Sequence, residues 1–125
     1  MDSVVYAAER PENGVAVEVA PGIVWLRLAL PFALDHVNVW LLDDGRGWTA
    51  IDTGVADAQT KAVWSRVLAD RPVDRLLVTH FHPDHAGLAG WLAQQVQAPL
   101  LMSQIEWLCA RGLAIDDTAE FAAAN

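Results

Sequence analysis

The chain has 125 residues, which suits one domain able to bury roughly two-thirds of its unfolded surface. Sixteen acidic residues against 8 Lys and Arg give a formal net charge of −8, which argues against a nucleic-acid partner, because phosphate neutralisation needs a basic face. One cysteine, Cys109, excludes an internal disulfide, and the charge-interrupted first twenty residues and the broken apolar run Ile23 to Leu34 suit neither a secretory leader nor a membrane span, so a cytoplasmic protein with no membrane contact is expected.

Val15 to Val19 alternates weakly and predicts a short strand, followed by the turn signal Pro21-Gly22. Ile23 to Leu30 is rich in β-branched and aromatic residues and predicts a second strand. Pro31 to His36 is expected as a loop and Val37 to Leu42 as a third strand. Asp43-Asp44-Gly45-Arg46-Gly47 is a hairpin turn, returning as a strand over Trp48 to Ile51. After Gly54 the period becomes helical, with Val55, Ala58, Ala62, Val63, Val67 and the pair Trp64/Leu68 recurring on one face. Pro72 ends that helix, and Arg75 to Val78 is a buried strand.

A second helix is expected from Ala86, with Leu88, Trp91, Leu92 and Val96 on one face, ending by Pro99. Leu100 to Met102 is a brief strand. Ser103-Gln104-Ile105-Glu106 has the form of a capping box and starts a third helix, for which Gly112 is the expected stop. Asp117 to Glu120 signals another helix start, five residues before the last residue. This order predicts an α/β (α+β) fold, a mixed sheet with helices on one face. The 54% hydrophobic content and six Trp exceed the needs of one small core, so a large pocket or a partner surface is expected as well.

The chemistry sits in His80-Phe81-His82-Pro83-Asp84-His85. In an extended segment residues i and i+2 point to one side, so His80 and His82 can converge on one point. Asp84 and His85 follow at the entrance to a helix kept slim by Ala86, Gly87, Ala89 and Gly90. Four ligands in six residues crowd a single tetrahedral ion. Two adjacent ions fit better, one on His80 and His82 and one on Asp84 and His85. Two metals about 3.5–4 Å apart lower the pKa of a bound water toward 7 and polarise a substrate oxygen.

The segment Val78 to Gly87 resembles the His-x-His-x-Asp-His signature of the metallo-β-lactamase fold superfamily, and Ile51-Asp52-Thr53-Gly54 is similar to its Asp-Thr-Gly segment. The resemblance runs from about Ile23 to Arg111. It implies the N-terminal half of a four-layer αβ/βα sandwich. It also implies His80 and His82 as ligands of one metal and Asp84 and His85 as ligands of a second, with Asp84 also acting catalytically in proton transfer. Asp52 would lie behind the ligands and steady the metal loop. The family pattern needs a further His, a bridging Asp and a final His, and no His follows His85. The chain is therefore expected to be a single partial domain, residues 1–125, truncated at its C-terminus, with an incomplete site.

The implied activity is that of a metal-dependent hydrolase, glyoxalase II-like, in which a metal-bound hydroxide cleaves a thioester or other ester of a small-molecule substrate. Zn2+ is the expected metal, two per complete site, with Fe or Mn as alternatives. The rival reading is a non-catalytic metal-binding or assembly module that pairs with another chain, as a dimer or with a missing C-terminal half. Among the remaining residues, His36 is expected to be a solvated loop residue. Cys109, Trp91 and Trp107 are expected in helix packing and core, and Trp25, Trp40 and Trp48 on a half-buried sheet.

Overall fold

The computed structural model describes residues 3–116. Six strands, β1 (Ala16–Ala20), β2 (Ile23–Ala29), β3 (His36–Asp43), β4 (Trp48–Ile51), β5 (Val73–Leu77) and β6 (Leu100–Leu101), lie in one sheet in sequence order. β1 to β4 form an antiparallel meander, while β5 and β6 pair parallel to β4 and β5. The change of direction follows from the connections. Hairpins join the early strands, whereas helix α1 (Ala58–Asp70) carries the chain back between β4 and β5. The mixed sheet is the one expected from the sequence.

Alternation decides the two faces. Val24, Leu26 and Leu28 of β2 stand opposite Leu41, Val39 and Val37 of β3, and all six are buried. They share one core with Ala50, Leu76, Val63, Trp64, Val67, Leu88 and Leu92, so α1 and α3 (Ala89–Val96) cover this face. The other face carries Trp25, Trp40, Leu42, Ile51 and Leu77, all only half-buried, and the exposed Ile23 and Leu101. Trp25 and Trp40 pair directly, with ring centroids 5.6 Å apart and planes inclined by 17°. Part of the surplus of large hydrophobic residues lies on this second apolar face. Among the described residues, no helix is long and apolar enough to cross a membrane.

Several local expectations need correction. His36 opens β3 opposite Ala29 rather than lying in a loop, because Leu30 N–H reaches across to Asp35 O and closes the turn one residue earlier. The second helix is two pieces, α2 (Pro83–Ala86) and α3, broken at Gly87-Leu88. Proline at the first helical position starts α2 three residues before Ala86. Helix α4 (Gln104–Asp116) runs through Gly112, since one interior glycine costs only about 1 kcal/mol and nothing crowds it. Trp107 and Cys109 are exposed rather than packed, whereas Trp91 does lie against the core. The helix start expected at Asp117 to Glu120 lies outside the described residues.

Candidate metal centre

β4 and β5 are parallel, so their C-terminal ends share an edge of the sheet, the place where open α/β sheets bind ligands. β4 delivers Asp52 there and β5 delivers Thr79 and His80. β3, antiparallel to β4, begins at the same edge, and α2 packs against it.

Asp52 is 5% exposed and takes φ 67°, a left-handed conformation that side chains other than glycine rarely adopt. The twist turns its carboxylate toward the next strand. Oδ1 accepts from Thr79 N–H at 2.7 Å, and Oδ2 accepts from His85 Nδ1 at 2.8 Å. The Thr79 hydroxyl lies 3.0 and 2.8 Å from the two carboxylate oxygens. An ionised carboxylate only accepts, so the hydroxyl donates to it and keeps its lone pairs for His80 Nδ1, 2.8 Å away. Asp52 therefore orients His85 directly and His80 through Thr79. This leaves Nε2 of each ring turned away from Asp52, that of His85 lying 3.4 Å from Asp84 Oδ2.

The segment after Asp52 is clamped from three sides. Asp52 N–H donates to Leu77 O, and Thr53 N–H donates to His85 O at 2.9 Å. The fully buried Thr53 hydroxyl donates to His85 O at 2.8 Å and accepts from Leu88 N–H at 3.1 Å. Trp64 of α1 donates from Nε1 to Thr53 O at 2.8 Å. Gly54 takes φ +84°, and a Cβ there would lie 2.7 Å from Leu28. At Gly87 a Cβ would lie 2.4 Å from Pro83 O and 2.9 Å from Gly54 O, so only glycine lets the two loops touch.

The structure gathers the sequence-predicted residues at this edge. His80 and His85 ring centroids are 4.1 Å apart, and those of His80 and His82 are 4.8 Å apart. His85 Nε2 lies 3.4 Å from Asp84 Oδ2. Asp52, His80 and His85 place one potential ligand atom each within 4.8 Å of the others. Asp52 is nevertheless the poorest ligand of the group, because both its oxygens already accept hydrogen bonds. Among the described residues, His82 and Asp84 are not part of that group, so His80 and His85 are the imidazoles the fold brings together, and nitrogen donors of this kind suit zinc and similar divalent ions.

Thr79, Trp64 and Glu106 also shape the site and were given no part in it by the sequence, while Thr53 was marked only as a member of the Asp-Thr-Gly segment. Glu106 reaches in from α4 and accepts from Phe81 N–H at 2.8 Å. The only available signal was the Ser103-to-Glu106 spacing, which announces a helix start and says nothing of the metal loop.

A single mixed sheet with helices on one face and this cluster at its edge is an arrangement of the metallo-β-lactamase fold class. The sequence profile of the Metallo-beta-lactamase superfamily matches residues 33–119, and the chain belongs to that family. Among curated relatives, the hydroxyacylglutathione hydrolase of Pseudomonas aeruginosa is 35% identical over 91 residues, covering 71% of this chain and 34% of the relative. A beta-lactamase domain protein from Burkholderia ambifaria superposes with a TM-score of 0.77 and 41% identity, over 86% of this chain and 38% of that one. A metallo-beta-lactamase from Pontibacter korlensis shares the fold, with a TM-score of 0.66 at 18% identity, over 78% of this chain and 47% of that one. The chain thus spans about a third of the length of the curated relatives it matches.

Proposed function

We propose that this chain provides part of the active site of a metal-dependent hydrolase that cleaves a thioester or other ester of a small molecule. The observation that carries this reading is the His80–His85–Asp52 cluster, with Asp84 at 3.4 Å from His85, at the C-terminal edge of two parallel strands. His80 and His82 would hold one ion, and Asp84 and His85 a second. Zinc is the proposed metal, with iron or manganese as alternatives. The ions, when bound, supply the Lewis acidity that makes water nucleophilic at neutral pH. Asp84 would accept a proton from the attacking water and return it to the departing sulfur or oxygen. Asp52 and Thr79 hold the two imidazoles in the tautomer that leaves Nε2 free.

Two protein ligands per ion fall short of the three that catalytic zinc sites use. The remaining donors are proposed to come from outside the described residues, either from a longer form of the chain or from a partner. The hydroxyacylglutathione hydrolase relatives support a glutathione thioester as the first substrate to try. The single cysteine, Cys109, is compatible with the proposed cytoplasmic setting.

The test begins with metal content of purified chain beside a His80→Ala/His82→Ala double variant. Zinc bound by the parent and lost by the variant supports the site. Hydrolysis of a 2-hydroxyacyl glutathione thioester is then followed with and without zinc. No zinc binding, or turnover unchanged by the double substitution, would overturn the reading.

A further inference from the structure

We propose that Glu106 is a positioning residue for the metal loop, acting through the backbone N–H of Phe81; this rests on the reading of His80 and His82 as metal ligands. The relative placement of the two imidazoles is set by the backbone of the residue between them, Phe81, where the chain bends on its way into α2. By then the loop has left the sheet. Val78 N–H makes the last ladder-like bond, to Leu101 O at 2.9 Å, and Thr79 N–H is held by Asp52. Phe81 N–H has no strand beside it, and Glu106 Oε2 takes it at 2.8 Å.

The geometry at the start of α4 supports a dedicated role. In a capping box the serine accepts from the backbone N–H three residues on, while the glutamate turns back to the serine's own N–H. Here the first half is kept, with Glu106 N–H donating to Ser103 Oγ at 3.3 Å. The second half is diverted, because the carboxylate points across the gap to Phe81. A charged acceptor makes a hydrogen bond roughly twice as strong as a neutral one, and the first helical turn favours a carboxylate. The two residues are 25 apart in sequence, so the bond joins α4 to the loop rather than serving the helix.

Cobalt(II) titration of the 125-residue chain, with a competing chelator, tests the proposal on the parent, Glu106→Ala and Glu106→Gln, alongside thermal unfolding of each metal-free form. Glu106→Ala is expected to weaken cobalt binding by about 10- to 100-fold and to alter the visible cobalt spectrum. Glu106→Gln keeps a carbonyl acceptor for Phe81 N–H and is expected to restore most of both. A purely structural role would lower the unfolding temperature and leave the affinity and spectrum of the folded chain unchanged. Unchanged cobalt affinity in Glu106→Ala overturns the proposal, as does a Gln variant no better than Ala. If Glu106→Ala does not fold, the Glu106→Gln spectrum and the protection of the Phe81 amide against exchange decide, and an unprotected Phe81 amide in the parent overturns it. A parent chain that binds no cobalt overturns the metal-site reading and this inference together, whereas a parent that binds and an insensitive variant overturn this inference alone.

Discussion

Asp52 meets Thr79 and His85 from a left-handed backbone, and Asn is the substitution that separates those two features. Asn tolerates positive φ nearly as well as Asp, so Asp52→Asn leaves the turn intact. It replaces two accepting oxygens by one and places an amide against donors. We expect zinc affinity to fall by about 10- to 100-fold, measured by chelator competition. Unfolding stability should fall by about 1–3 kcal/mol in urea titration, because buried donors lose their acceptor. Gly87→Ala should destabilise by a similar 1–3 kcal/mol, since its Cβ meets backbone oxygens that have no rotamer to escape into. The meeting of His80 and His85 at one edge was legible because both lie within six consecutive residues, where spacing alone constrains direction. The threonines and Glu106 were not, because their partners are 25 to 35 residues away and a hydroxyl or carboxylate in sequence does not name its partner.

Helix α1 and the turn between β3 and β4 are held by different chemistry. Trp64→Phe keeps the buried ring and removes the Nε1–H bond to Thr53 O. It is expected to cost about 1–3 kcal/mol by leaving a buried carbonyl unsatisfied. The end of α1 before Pro72 was legible, whereas its start was not, because Asp57, which caps it by accepting from Thr60 N–H at 2.7 Å, carries no periodicity of its own. Periodicity also places residues on a common face, but it does not reveal what covers that face, which is why Trp107 and Cys109 lie open.

In the turn, backbone N–H groups of Arg46 and Gly47 hold the Asp44 carboxyl down to about 2, while a hydrogen bond to Asp44 raises that of Asp74. Asp44 therefore contributes stability above its ordinary value of 3.8 that is lost as the pH falls through about 2. Asp74 acts with the opposite sign, its contribution being lost as pH rises. In an Asp74→Asn background, the denaturation midpoint should fall from pH 4 to pH 2. Adding Asp44→Asn should flatten that fall.

The two faces of the sheet differ in how completely they are covered, and the chain should report this in its response to truncation. Leu26→Ala, on the helix-covered face, is expected to cost about 2–5 kcal/mol. Trp40→Ser, on the half-open face, should cost less, mainly the partial burial and a Trp25 stack worth about 0.5–1.5 kcal/mol. Equal losses in urea titration would show that the second face is sealed within this chain. The crossover through α1 has a kinetic consequence as well. Asp52 lies 27 residues from Thr79 and 33 from His85 in sequence, so the imidazoles acquire their orienting partner only after the helix has docked and β5 has paired with β4. Closing such a loop is an entropic cost incurred before any of those contacts forms. Metal capture by His80 and His85 in their native orientation should therefore trail the main folding step and never precede it, which makes stopped-flow metal uptake a clock for the arrival of native topology.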